Sequence, residues 1–266
     1  MLNSNSFFRD MAFQILITND DGVYADGLWA LVRELKDVGN VTVVAPDRDQ
    51  SGIGTAITMR HPLRLTKIKS AVPGVKAYSV EGTPGDSVIL ALRLAMKDSV
   101  DLVVSGINEG PNLGNDVFIS GTVGGALQGY FYGIPAIAVS IAAFEKLNFD
   151  IAAKLTRLLA QGFLKGILPR KLLLNVNVPN LPAEKIRGME ITRLGERSYT
   201  DNVGQGHDGK REYYWIVRGV PEWSVVSGTD IWAMEQDKIS ITPFHGNLNG
   251  SNPLFFKEIA TELLSK

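Results

Sequence analysis

Through the first two-thirds of the chain, short apolar runs alternate with segments carrying one apolar stripe. Phe13–Thr18 is an apolar run followed by turn residues, which predicts a buried strand. In residues 26–39, Leu28, Leu31, Val32 and Leu35 fall on one helical face, with Asp26 placed to cap the start and Gly39 to end it. Val41–Pro46 is a second strand. Residues 85–98 read as a helix and Asp101–Gly106 as a strand. Residues 121–133 form a helix of small residues and Ala136–Ser140 a strand. Residues 150–162 are a further capped helix and Leu172–Pro179 a further strand.

Strands that are apolar on both faces and separated by helices require a parallel sheet covered on both sides. The fold class is therefore α/β, a Rossmann-like doubly wound and mostly parallel sheet. Strand order is not readable at this level. After Pro179 the pattern turns β-rich. Residues 188–195 and 212–219 read as strands flanking a polar loop, 196–211; they could form a long hairpin, which would pack on another subunit or simply extend the sheet. Residues 237–243 add a strand and 253–266 an amphipathic helix. The expected organisation is a core over 11–185 that carries the site, and a C-terminal hairpin, strand and helix over 186–266 serving oligomerisation.

Composition narrows the picture without deciding it. The 266 residues are 45% hydrophobic, with a formal net charge of -1. No global basic field suggests wrapping of a nucleic-acid polymer. No cysteine is present, so disulfides and thiolate zinc sites are excluded. No run reaches membrane-spanning length, and residues 1–10 read as a dispensable extension or an upstream start. A cytoplasmic protein with no membrane partner is expected.

The candidate chemistry sits where the predicted strands end. Asp20 and Asp21 are adjacent carboxylates after the first strand, and Gly22 lets the chain leave the strand so that both can serve one site. After the second strand comes Ser51 in a glycine-containing loop. After the strand ending at Gly106 come Asn108, Asn112, Asn115, Asp116, Ser120 and Thr122. Open parallel sheets bind ligands at the carboxyl ends of their strands. This is a set of hard oxygen ligands without thiolate or nearby histidine, and it suits Mg²⁺, Mn²⁺ or Ca²⁺. A dication would cancel the repulsion between the aspartates. Ser120, Gly121 and Thr122 stand where a helix begins, a place that favours phosphate. Each feature alone has an ordinary explanation: a turn, a loop hydroxyl, a helix cap. Their convergence on one edge is what points to phosphoryl chemistry. A P-loop, a dinucleotide fingerprint and a nucleophile elbow are absent.

The stretches "ILITNDDG", "VVAPDRDQSG", "VEGTPGDSV" and "DLVVSGINEGPNLGNDVFISGTVGGA" closely resemble the SurE family of stationary-phase survival proteins, which are 5'/3'-nucleotidases. The resemblance is dense from Phe13 to Ser140. It implies a metal-dependent phosphohydrolase that releases phosphate from nucleoside monophosphates through metal-activated water. It implies one divalent cation per subunit, Mg²⁺ or Mn²⁺, on Asp20, Asp21, Ser51 and Asn108. Asp20 and Asp21 are then the candidate catalytic residues, with Asp20 also able to orient or deprotonate the water. Asn108, Ser120, Gly121 and Thr122 would hold the phosphate. His245, in "ITPFHGN", stands at a family histidine position. The resemblance also implies homodimers or homotetramers with exchanged C-terminal segments. Tyr199, Tyr213, Tyr214 and Trp215 are either base-stacking residues or ordinary strand aromatics and subunit contacts. A short-chain polyphosphatase or general acid phosphatase, and a non-catalytic nucleotide-binding sensor, remain as alternatives.

Overall fold

The computed structural model describes residues 12–97, 99–198, 202–217 and 222–244. The extension 1–10, Tyr199, His245 and the helix expected over 253–266 lie outside the described residues. In chain order the strands are β1 (Gln14–Thr18), β2 (Asn40–Pro46), β3 (Leu65–Ile68), β4 (Lys76–Val80), β5 (Leu102–Glu109), β6 (Ala136–Ala142) and β7 (Leu173–Pro179). They continue with β8 (Met189–Ile191), β9 (Arg197–Ser198), β10 (Asn202–His207), β11 (Glu212–Val217), β12 (Glu222–Trp223) and β13 (Ile239–Phe244). The α-helices are α1 (Asp26–Leu35), α2 (Pro84–Leu90), α3 (Gly121–Phe131), α4 (Asp150–Leu164) and α5 (Asp230–Glu235).

Nine strands form one sheet in the order β3-β4-β2-β1-β5-β6-β7-β13-β8. The six from β4 to β7 run parallel, while β3 and β13 pair antiparallel to their neighbours β4 and β7. The α/β, mostly parallel architecture is the one expected. The chain winds outward from β1 toward β4, then returns to the other side of β1 with β5. The gap between β1 and β5 is thus the topological switch point, where doubly wound sheets open a crevice for ligands.

Alternation along each strand sends side chains to two cores. Ile15, Ile17, Val43, Val104 and Val139 pack with α1 and α4, whereas Leu16, Val44, Val103 and Ala138 pack with α2 and α3. Because both faces are covered, the central strands are almost continuously apolar.

Several expectations are corrected. β3 and β4 were not anticipated, because their alternating, half-exposed pattern carries a weak signal. Asp26 is not the cap of α1; it sits in the first turn, where its charge still favours the helix dipole, and Ala25 precedes it. The helix from Asp150 likewise has no side-chain cap. α2 is a short helix extended by a π-helical turn at Ala91–Ala95, and its start is a reciprocal box: Thr83 accepts from the Asp86 N–H, and Asp86 accepts from the Thr83 N–H. The long hairpin from 188 to 219 does not form. β8 joins the main sheet beside β13, and β11 instead pairs with β10, a strand inside the stretch read as a polar loop. Gly and Gln in β10 hid its strand character, since neither supplies the alternating apolar face.

Candidate metal and phosphate site

At the end of β1 the chain turns at Asn19-Asp20-Asp21-Gly22. Gly22 has φ of +100°, a conformation that side-chain-bearing residues rarely adopt. Asn19 donates to the Gly22 carbonyl at 2.9 Å and ties the turn. The turn takes both carboxylates off the strand, so neither is forced to the opposite face.

Asp20 is buried. Its Oδ1 accepts from the Thr122 hydroxyl at 2.5 Å, and the Thr122 N–H also donates to it. α3 approaches so closely that a Cβ on Gly121 would stand 2.9 Å from Asp20 Oδ2. Burial pushes the Asp20 carboxyl up to about 6, and the bonds from Thr122 oppose that rise. Asp21 is pushed further, to about 8, first by burial and then by the charges of Asp20, Glu109 and Asp49. The Glu109 N–H donates to Asp21, yet Asp21 Oδ2 is buried without a hydrogen-bond partner. Two adjacent carboxylates, one with an unpartnered buried oxygen and both disfavoured as anions, form a site that a positive charge would relieve.

Asn108 lies near the end of β5, just past a register shift between Ser105 and Asn108. Its amide nitrogen donates to the Gly110 carbonyl at 2.7 Å, which leaves Oδ1 as the group it can offer a cation. Ser51 stands in the loop after β2. Its loop reaches the site, because the Gln50 N–H donates to the Asp20 carbonyl at 2.7 Å, but the Ser51 hydroxyl is exposed and donates to Asp49 Oδ1 at 2.6 Å. Among the described residues, no cluster of three or more His, Cys, Asp or Glu side chains is arranged for a metal. A cation here would combine two carboxylates with neutral oxygens, a donor set suited to Mg²⁺ or Mn²⁺.

The start of α3 is less open than its sequence suggests. Ser120 caps the helix by accepting the Val123 N–H at 3.1 Å, and the Thr122 N–H goes to Asp20. Two of the first free donors are therefore already engaged. Of the other candidates, Asp116 is ion-paired with Arg197 at 2.6 Å and Asn115 donates to the Arg197 carbonyl. Asn112 is a hub. Its N–H donates to Asn177 Oδ1, its carbonyl accepts from Asn175 and Asn177, and its amide donates to Ser140 at 2.8 Å and reaches Thr122 Oγ1 at 3.5 Å.

Three contributors were missed by sequence reasoning. Asp49 and Glu109 add negative charge around the pair. Asp230, at the start of α5, accepts from the N–H groups of Gly114 and Gly195, both at 2.8 Å. Only the Thr-Asp dipeptide at a helix start signalled it.

The Ser51 loop is held against α3, where a Cβ on Gly124 would stand 2.3 Å from the Gly54 carbonyl oxygen. Gly124→Ala must therefore displace this loop. Misplacing a reacting geometry by about 1 Å costs on the order of 10²-fold in rate. The expected result is a loss of roughly ten- to a hundredfold in phosphate release, with the far-UV circular dichroism of the native fold. Unchanged turnover would show that the loop plays no part in the site.

Comparison with known proteins places the chain in a family. A family model described as "Survival protein SurE" matches residues 15–201. The chain is 47% identical over 250 residues to a protein named 5'-nucleotidase SurE from Dehalococcoides mccartyi, covering 93% of this chain and 94% of that one. It is 46% identical to the protein of the same name from Moorella thermoacetica, covering 94% and 95%. The crystal structure of the SurE protein from Aquifex aeolicus superposes with a TM-score of 0.77 at 39% identity, covering 95% of this chain and all of that one. With its aspartate pair at the switch point of the same fold, the chain belongs to the SurE family.

Proposed function

We propose that the chain is a 5'-nucleotidase: a metal-dependent phosphohydrolase that releases phosphate from nucleoside monophosphates. The observation that carries the reading is the buried pair Asp20 and Asp21, both held above the carboxylate range and one with an unpartnered oxygen, at the switch point of the sheet. Relatives covering nearly the whole chain bear the name 5'-nucleotidase, which supports the same reaction class.

Asp20, Asp21 and Asn108 would hold one Mg²⁺ or Mn²⁺, joined by Ser51 once its hydroxyl turns from Asp49. A dication bound there supplies charge neutralisation for the phosphate dianion and a lowered pKa for water. The protein's own part is orientation. Thr122 fixes Asp20 through its hydroxyl and N–H, so the Asp20 carboxylate has a set direction from which to align the attacking water. Ser120–Thr122 brings the positive end of α3 to the same place, which favours the anionic substrate. Asn112, itself held by Asn175 and Asn177, reaches Thr122 with its amide. The proposed location is the cytosol; among the described residues no helix is long and apolar enough to cross a membrane.

The test is phosphate release from nucleoside 5'- and 3'-monophosphates and short polyphosphate, with Mg²⁺, Mn²⁺ or excess EDTA. Metal-dependent release, greatest with nucleoside 5'-monophosphates, is the expected outcome. Preference for polyphosphate would transfer the proposal to that substrate. Absence of release with every metal would refute hydrolysis and leave the sensor reading.

The proposal extends to assembly as a homodimer or homotetramer. Among the described residues β10 and β11 pair only with each other, and β11 exposes apolar side chains on both faces; Trp215 is 64% and Ile216 81% exposed. A two-stranded ribbon is marginal in water alone, so a second copy of the chain packed on it explains its sequence. Trp215→Lys with Ile216→Lys is expected to lower the mass measured by light scattering. An unchanged oligomer would place the contact elsewhere.

A further inference from the structure

A cavity of about 490 Å³ lies at the same edge of the sheet as the aspartate pair but does not include it. Such a volume is within the range of small-molecule sites. One wall comes from the carboxyl ends of three central strands: Pro111 and Leu113 after β5, Ala143 after β6, and Leu181 after β7. The opposite wall is α5, through Met234 and Glu235. Trp223 and Arg197 complete the lining from β12 and β9.

A chain of hydrogen bonds links the cavity lining to the aspartates. Pro111 and Leu113 flank Asn112, whose amide reaches Thr122, the residue that donates to Asp20. The aromatic part is tied to the same segment. The Arg197 guanidinium lies over the Trp223 ring, 5.4 Å from its centroid, and pairs with Asp116, four residues before Ser120. Asp230 then fastens α5 to Gly114 on one side and Gly195 on the other.

The lining indicates what would enter. Its one cation, Arg197, is already held by Asp116, and the lining adds two acidic residues, Glu235 and Asp237, the latter 3.8 Å from Arg187 Nε. An anion would find repulsion there, so this is not a second phosphate site. A neutral planar ring is matched by the indole and the apolar walls, and its N–H groups by the carboxylates. We infer that this cavity is the subsite for the base of a nucleoside monophosphate, with Trp223 as its stacking surface. The inference rests on the nucleotidase reading. It replaces Tyr213, Tyr214 and Trp215 as base-stacking candidates, because they are exposed on the β10–β11 ribbon and do not line the cavity.

The experiment compares steady-state kinetics on the best-used of the four common nucleoside 5'-monophosphates with kinetics on ribose 5-phosphate, which keeps the phosphate and sugar but lacks the base. Stacking of a base on an aromatic side chain contributes about 1–3 kcal/mol. Trp223→Ala is therefore expected to raise KM for the nucleotide about tenfold or more, with kcat nearly constant and ribose 5-phosphate unaffected. Trp223→Phe should restore most of the loss. If Trp223→Ala does not fold, Met234→Trp, which fills the cavity, should show the same selectivity. Parallel changes on both substrates, or none on either, overturn the inference. Calorimetry with the nucleoside alone separates this idea from the nucleotidase reading. Should the protein hydrolyse no phosphate ester yet bind the nucleoside, with binding weakened in Trp223→Ala, the subsite stands and the reaction is wrong. Should it hydrolyse nucleotides with no binding of the nucleoside at millimolar concentration, the subsite is wrong and the reaction stands.

Discussion

Asp21→Asn is expected to reduce phosphate release by roughly 10³-fold or more at saturating Mg²⁺ or Mn²⁺, while raising the melting temperature of the metal-free protein at pH 8. The first effect follows from the charge that Asp21 would contribute to cation binding. A metal ion provides several kcal/mol of transition-state stabilisation in phosphoryl chemistry, and each 1.36 kcal/mol is about tenfold in rate. The second effect follows from the cost of the free carboxylate, which is buried, next to Asp20, and left with an unpartnered oxygen. Asparagine removes the charge and keeps the shape. Loss of activity with gain of stability is the signature of a functional charge, and a purely structural residue would lose both or neither. Near-normal turnover in saturating metal would sink the ligand assignment.

The second large effect concerns metal and pH together. EDTA is expected to abolish phosphate release, and the rise in melting temperature on adding Mn²⁺ should be greater at pH 8 than at pH 5. In the metal-free fold Asp20 and Asp21 titrate near 6 and 8, whereas the unfolded chain has them near 3.8. Across that interval the folded state binds more protons than the unfolded state. Their contribution to stability is complete below about pH 4 and is lost as pH rises through 6 and then 8. A bound dication displaces those protons and removes the penalty, so its stabilising effect grows as the protons become easier to remove. Differential scanning fluorimetry across pH, with EDTA or Mn²⁺, measures this directly. A thermal shift independent of pH would mean that the cation binds away from the pair.

The fold class was legible because burial on both faces leaves a plain mark. Ile15, Leu16 and Ile17 cannot all be apolar in a strand that has a wet side. The strand order was not legible, since nothing local in β5 says that it lies beside β1. β3, β4 and β10 escaped for a related reason: half-exposed strands with polar or glycine positions resemble loops. At the site, Asp20, Asp21, Asn108 and Thr122 could be named from their position after strands. The direction of each side chain could not. Ser51 turned toward Asp49, and Asn115 and Asp116 toward Arg197, through partners 2, 82 and 81 residues away. Sequence marks where polar groups gather; a local turn commits Ser51 to Asp49, and long-range packing commits Asn115 and Asp116 to Arg197.

The bond from Asp230 to Gly114 spans 116 residues, and the Asn112 hub depends on Asn175 and Asn177 in β7. On the ribosome, Asp20, Asp21 and Asn108 emerge long before these supports exist. A nascent chain paused at residue 170 would carry every proposed ligand but have neither the asparagines that hold Asn112 nor the carboxylate that holds Gly114. Activity should therefore arise late and abruptly in synthesis. Truncation ahead of β7 should give an inert product rather than a weakened enzyme.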